Sequence, residues 1–385
     1  MICLQQKIAI IGAGVGGILT LQLLKKKLPN ADFILIDDNN FFVFTPRLTE
    51  VLSEMVPEKH TVRPTEIFKD RNVEVIISKA KKVDLKQQKI YLENKSKVKY
   101  DVIVFAHGAR TNFFGLKNAE KNCFKFKDYQ DAKKLRSKVL DSVKNINGKN
   151  RKLDIALIGG GPTGTELAFA LRDLILRHKK EYSAVDISNI AISIFQGSET
   201  IVKGQHPWII EKAQKEAEKF NIGVYTSHRA IGINNSTISF EDGSSAKADI
   251  IVWVAGITPN MIEFEPKIQL EKGSIPVKRT LQLKDFENAF AIGDCSLSLD
   301  PENRMYPKTA QIASQHAYHA SNNIVHLIKN EKLKPFEYKI KGFFLALGNH
   351  KTAALAYFLK FNGILGWVLR DQFYKQIFRK LVKGK

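Results

Sequence analysis

Six glycines in two matched triplets are the most chemically suggestive feature of the sequence. Gly12, Gly14 and Gly17 stand in Gly12-Ala13-Gly14-Val15-Gly16-Gly17, and Gly159, Gly161 and Gly164 repeat the same G-x-G-x-x-G spacing 147 residues later. In such a turn the first glycine permits a tight reversal and the second lets the backbone close on a pyrophosphate. The third lets the next helix lie against the strand, while that helix presents its free N–H groups to the phosphates. The spacing alone is weak evidence; its context strengthens it. Gly12 follows an apolar run, opens a helical stretch, and is followed 25 residues on by Asp37, placed to accept a ribose hydroxyl. At the matching point of the second repeat stands Gln196 rather than an acid. A neutral amide removes the repulsion a carboxylate imposes on a 2′-phosphate, so the position suits NADPH as well as NADH. The plainer alternative is that Gln196 hydrogen-bonds the ribose of NADH. Two dinucleotide sites in one chain imply FAD held by the first and NADH or NADPH visiting the second, one resident and one mobile.

The elements that must position these residues follow from the hydrophobic pattern. Lys7–Ile11 and Phe33–Ile36 read as strands around a helix over Ile18–Lys27; Asp154–Ile158 and Ala191–Phe195 read as strands around Thr165–His178. Two such units predict an α/β protein with two Rossmann-like dinucleotide-binding domains. Short strands are expected over 72–78, 81–85, 89–92 and 101–105, a charged helix over 128–145, and a linker at Asn147-Gly148-Lys149-Asn150. Further strands are expected over 249–255 and 286–292, and a helix over 308–329. The expected domains are 1–112 and 275–338 for FAD, 113–274 for NAD(P)H, and 339–385 as a C-terminal membrane-associating segment.

Other motifs resemble one family. Phe44-Thr45-Pro46-Arg47-Leu48 resembles the segment carrying aromatic, proline and leucine residues past a flavin. Ala289-Phe290-Ala291-Ile292-Gly293-Asp294 is similar to a second FAD motif, whose aspartate binds the ribityl chain. Trp253-Val254-Ala255-Gly256 resembles a turn closing over nicotinamide, and Gly164-Thr165-Glu166 a glycine-x-glutamate whose acid lies near both rings. Ala310-Gln311-Ile312-Ala313-Ser314-Gln315 matches an AQxxxQ-type helix under the isoalloxazine, lining a quinone pocket. Together these resemble the two-dinucleotide-binding flavoproteins, and within them the type II, non-proton-pumping NAD(P)H:quinone dehydrogenases. The resemblance implies cofactor contacts at Pro46, Arg47, Gly108, Gly256, Gly293, Asp294 and Ala310. It implies catalytic roles for Glu166, Gln311 and Gln315, the two amides sharing one helical face. His107 stands where relatives carry threonine, and reads as a turn variant rather than a base.

Three scattered cysteines, Cys3, Cys123 and Cys295, exclude a disulfide scaffold and a zinc ribbon. The absence of a CxxxxC pair near 45–56 argues against disulfide-reductase chemistry, and the lack of a second flavin-side cysteine argues against sulfide oxidation. The net charge is +21, and residues 339–385 hold ten Lys or Arg against the single acid Asp371. There Ile364, Val368, Phe373, Ile377, Phe378 and Leu381, with Trp367 and Tyr374, alternate with Arg370, Lys375, Arg379, Lys380 and Lys383 as in a basic amphipathic helix. Such a helix is drawn to an anionic membrane surface; packing on the FAD domain or at a homodimer interface is the alternative. No apolar run is long enough to span a bilayer, and no N-terminal signal is read. The expected place is cytoplasmic, peripheral on the inner face of the cell membrane, with a membrane quinone as partner. Nucleic acid is not expected, since no binding module is recognisable. Two rivals stand: a soluble reductase with an acidic protein acceptor, and a non-catalytic flavin redox sensor.

Overall fold

The computed structural model describes residues 6–147 and 151–384; Cys3 and most of the expected linker at 147–150 lie outside the described residues. Lys7–Ile11 forms the centre of a six-stranded sheet, paired in parallel with Asp32–Asp37 and Val102–Phe105. Helix α1 (Val15–Lys27) makes the crossover. Val73–Ile77 extends one edge, and Phe286–Ala291 with Gln282–Leu283 completes the other, so the sheet closes only when the chain returns late in the sequence. The central strands Lys7–Ile11, Asp32–Asp37 and Val102–Phe105 are buried nearly throughout, as a sheet covered on both sides requires.

A single turn of helix over Thr45–Arg47 leads into α2 (Leu48–Leu52), all of whose residues are buried. An antiparallel meander of Ala80–Asp84, Lys89–Leu92 and Lys97–Lys99 covers one face of the sheet. After the short α3 (Ala119–Asn122) comes α4 (Tyr129–Ile146), started by Asp128, whose carboxylate accepts the Asp131 N–H while Asp131 returns the bond.

The second unit is a five-stranded parallel sheet ordered Phe124–Lys125, Ile250–Trp253, Leu153–Ile158, Ile190–Phe195, Ile222–Tyr225. It carries α5 (Pro162–Arg177) and α6 (Pro207–Lys219). Residues 230–247 form a three-stranded antiparallel sheet. Glu263–Glu265 already pairs with Ala80–Asp84 of the first unit, so the chain crosses back before residue 275.

Helix α7 (Ala310–Ile328) packs on α1, where Gly16 faces Ala313 closely. The basic tail holds more structure than its composition announced. Phe343–Ala346, Thr352–Ala356 and Leu359–Phe361 form an antiparallel sheet, and α8 (Gly363–Lys383) follows.

Helix α8 divides along its length. Leu381 and Phe378 join the core of the first unit, with Tyr374 and Ile377 packed against it, so this half is docked. Ile364 and Leu365 are about 70% exposed, and Val368, Leu369 and Phe373 are exposed too. Arg370, expected on the solvent face, is 2% exposed. A helix with one apolar stripe would leave it outside; here its partners lie on other elements.

Candidate active site

The two glycine turns share one construction. A Cβ at Gly12 would stand 2.3 Å from the Ala106 carbonyl oxygen, and one at Gly17 would stand 1.9 Å from that of Gly12. In the second turn, Gly159 would meet the Ala255 backbone at 2.8 Å and Gly164 the Gly159 carbonyl oxygen at 1.8 Å. Gly14 and Gly161 have nothing within 4 Å. The outer glycines of each triplet are thus required by packing, while the middle ones front open space at a helix N-terminus. That is the fit a pyrophosphate needs.

Each turn is held from the end of its second strand. The Ala13 N–H donates to Asp37 Oδ2 at 2.5 Å and the Asn39 N–H to Oδ1 at 2.8 Å. Burial pushes the Asp37 carboxyl up, against the opposing pull of those two donors. In the second unit the Gly160 N–H donates to Gln196 Oε1 at 2.7 Å, and Gln196 Nε2 donates to Ser198 Oγ at 2.6 Å. Gln196 therefore occupies the same structural seat as Asp37, without the charge.

On the flavin side, Gly293 has φ +67° and its N–H donates to His316 Nδ1 at 3.1 Å, while His316 Nε2 lies 3.2 Å from Ser298 Oγ. Burial lowers the His316 pKa to about 3, so the ring is neutral and can accept at Nδ1. Asp294 meets Lys127 Nζ at 3.2 Å. Gly108 has φ +64° with open space around it, and Gly256 has φ +92° with the Phe114 ring opposite. Their turns flank a two-stranded ribbon, Ala109–Thr111 against Ile257–Pro259. His107 is enclosed, its Nδ1 lacks a partner and burial lowers its pKa to about 4. The neutral ring is held by a hydrogen bond to the Asn260 backbone and lies edge-on to Phe105.

Pro46 lies in the turn before α2, and Arg47 follows it. Arg47 is buried, with its guanidinium 2.5 Å from Asp371 Oδ1 and 3.4 Å from Glu50 Oε2. Arg370 Nη2 lies 2.9 Å from Glu50 Oε1. This buried cross-brace ties α2 to α8 and went unread in the sequence, where Arg47 and Arg370 stand 323 residues apart.

Glu166, on the first turns of α5, faces the same brace. Its Oε1 accepts the Ala346 N–H at 2.8 Å. Burial raises its pKa to about 7, against the opposing influence of Arg370 and of the Ala346 N–H. It is poised to change protonation near neutrality.

Gln311 and Gln315 share a face of α7, but that face is strapped by residues 338–342. Gln311 Nε2 donates to the Gly342 carbonyl at 3.1 Å, and its Oε1 accepts from Tyr338 Oη at 2.8 Å and from the Lys341 N–H. Gln315 donates to the Lys339 carbonyl at 2.8 Å and accepts its N–H at 3.0 Å. Each amide retains one N–H for another acceptor. Ala310 opens the helix after the Thr309 cap.

Among the described residues no cluster could hold a metal ion. The sequence profile of the family described as pyridine nucleotide-disulphide oxidoreductase matches residues 6–317. A type II NADH:quinone oxidoreductase of Staphylococcus saprophyticus is 25% identical over 367 residues, covering 92% of this chain and 90% of the relative. A probable NADH dehydrogenase of Dictyostelium discoideum is 25% identical over 382 residues, covering 94% and 83%. The structure of NDH2 from Plasmodium falciparum in complex with NADH superposes with a TM-score of 0.86 at 22% identity, covering 99% of this chain and 98% of that one. With paired phosphate turns in a matching fold and a profile that runs through both, this chain belongs to the pyridine nucleotide-disulphide oxidoreductases.

Proposed function

We propose that the protein is a peripheral NAD(P)H:quinone oxidoreductase of the type II class. The observation that carries the reading is the pair of phosphate turns, with the Glu166 carboxyl two residues beyond the second, in a chain whose relatives include NADH:quinone oxidoreductases. FAD would lie on Gly12–Gly17, Asp37 and Asp294, and when bound it supplies the two-electron chemistry that no side chain provides. The reduced nicotinamide nucleotide docks on Gly159–Gly164, with Gln196 beside its ribose and Gly256 at the turn over its ring. The remaining N–H groups of Gln311 and Gln315 orient a quinone carbonyl, and Glu166 holds the proton needed as charge develops on the acceptor.

Membrane docking belongs to the same proposal. Tyr357, Phe358 and Leu359, and on α8 Ile364, Leu365, Val368 and Leu369, are exposed large apolar side chains, with the cations Lys360 and Arg379 nearby in sequence. Apolar groups of this size beside cations suit the interface of an anionic bilayer, and no helix of the described residues is long and apolar enough to cross it. An adjoining groove lined by Phe344, Leu359, Phe361, Leu369 and Phe373 suits an apolar quinone tail.

Anaerobic addition of NADH to the FAD-loaded protein tests the core of this reading: the yellow colour is expected to bleach and to return on adding a short-chain quinone. Absence of bleaching overturns it. Bleaching without quinone turnover, but with turnover by an acidic protein acceptor, selects the soluble-reductase reading instead.

A further inference from the structure

The donor nucleotide is a long molecule, and its two ends must leave the second phosphate turn in opposite directions. In the five-stranded sheet, Leu153–Ile158 feeds that turn and lies between Ile190–Phe195 and Ile250–Trp253, all parallel. A dinucleotide whose pyrophosphate rests on the middle strand's turn crosses the carboxyl ends of both neighbours. Gln196, just past Ile190–Phe195, marks the adenosine side. The nicotinamide half therefore crosses Val254-Ala255-Gly256, just past Ile250–Trp253. These two turns are in contact, for a Cβ at Gly159 would stand 2.8 Å from the Ala255 nitrogen. We infer, resting on the donor-docking reading above, that Phe114, whose ring lies on Gly256, is the side chain that holds the nicotinamide ring.

Phe114 is built into its place. A Cβ at Gly256 would come within 2.6 Å of Phe114 Cζ and 2.9 Å of Cε2, so glycine lets the ring settle there. The segment bearing Phe114 is fastened to the same turn. The Asn112 N–H donates to the Gly256 carbonyl at 3.2 Å, and Trp253 Nε1 donates to the Asn112 carbonyl at 2.8 Å. Asn112 Oδ1 in turn accepts the Phe114 N–H at 2.8 Å. Two adjacent phenylalanines then part company. Phe113 goes inward and packs on Trp253, their ring centroids 5.6 Å apart. Phe114 goes outward and is 64% exposed, with φ +51°, a left-handed conformation that a bulky side chain adopts at a cost. Core packing accounts for Phe113. It does not account for a ring left in water, in a strained conformation, one residue from the backbone that meets a phosphate turn; a flat ligand does.

An aromatic face suits this occupant for two reasons. Flat heterocycles stack on phenyl rings whatever their polar edges carry. In addition, the donor's ring gives up a hydride, with both electrons, to the flavin and so passes from a neutral dihydropyridine to a pyridinium cation. The negative face of a phenyl ring attracts that cation more than it attracts the neutral ring. Phe114 thus favours the charge that develops as the hydride leaves.

The test is a binding measurement that needs no acceptor. FAD-loaded, oxidised protein is titrated calorimetrically with NAD⁺ and with ADP-ribose, which lacks the nicotinamide ring. F114A is expected to weaken NAD⁺ at least about fivefold and ADP-ribose less than about twofold. F114L keeps apolar bulk without a π face and should lose NAD⁺ affinity severalfold, whereas F114Y should keep it. Anaerobic bleaching by saturating NADH should also slow severalfold in F114L. F114A that binds NAD⁺ as the parent does, or that loses NAD⁺ and ADP-ribose alike, overturns the inference, and so does F114L at parental NAD⁺ affinity. If F114A fails to hold FAD, F114L decides. Parent protein that binds neither ligand overturns the donor-site reading and this inference with it. Parent protein that binds both but reduces no quinone overturns the quinone reading alone, and the comparison of variants still judges Phe114.

Discussion

Gly161 and Gly164 stand three residues apart and do opposite work. A methyl at Gly164 would stand 1.8 Å from a carbonyl oxygen that cannot retreat, whereas one at Gly161 meets nothing. G164A is therefore expected to abolish the folded second unit, seen as loss of soluble yellow protein. G161A should fold normally, retain FAD, and raise KM for NADH at least about tenfold by keeping the pyrophosphate from the backbone. Gln196 offers a test of donor choice. Its amide already holds the Gly160 N–H, as Asp37 holds that of Ala13, so Q196E should preserve the turn while adding a charge. The ratio of kcat/KM for NADH over NADPH is expected to rise about tenfold or more, and an unchanged ratio would assign the choice elsewhere. The glycine turns and the place of Asp37 were legible in the sequence because they are set within one βαβ unit. The surroundings of Gln311 and Gln315 were only half legible. Their spacing announced a shared face, but the strap that occupies it lies in residues 338–342, whose approach depends on the whole first unit.

At the scale of elements, α8 was legible as a helix and misread in its orientation. Cations at 370, 375, 379 and 380 suggested one solvent face, yet Arg370 is enclosed by Glu50 from α2, and Asp371 by Arg47. Pairings across more than 300 residues leave no local trace. Removing one member of such a brace strands its partner's charge, which costs about 3–5 kcal/mol. R370L should lower stability to urea by about that amount, whereas K360L, on the exposed rim, should change it by less than about 0.5 kcal/mol. The divided helix also decides how membrane docking is tested. Truncation after Phe361 would remove Phe378 and Leu381 from the core along with the exposed apolar half. I364D/L365D alters only the exposed half. It is expected to stop sedimentation with anionic vesicles while keeping soluble NADH-dependent quinone turnover; retained sedimentation would reject this surface as the docking site.

For the whole molecule, buried titratable groups set opposing slopes of stability with pH. His316 and His107 have pKa values lowered to about 3 and about 4, so the folded chain binds fewer protons than the unfolded one below about pH 6.5. Their contribution is complete above that pH and is lost as pH falls toward those values. Glu166 acts in reverse: raised from 4.5 to about 7, its contribution is present below pH 4.5 and disappears as pH rises through 7. Thermal unfolding of the holoenzyme should show Tm falling as pH drops from 6.5 to 4, with H316N flattening that fall. E166Q, by removing the opposing contribution of Glu166, should steepen the rise of Tm between pH 4.5 and 7; an unchanged slope in either variant would reassign it.

The order in which the first unit is assembled follows from where its last pieces come from. Its central strands are complete by Phe105, but the strand Phe286–Ala291 and the docked end of α8, down to Leu381, are needed to cover them. At synthesis rates of roughly 5–20 residues per second, the intervening stretch takes on the order of 15–55 s to emerge. Throughout that interval the nascent N-terminal half carries an unsheltered apolar sheet, while the second unit, contiguous in sequence, can already close. The first unit is thus finished after the second, and the nascent chain is a natural client for chaperones until the docked half of α8 arrives.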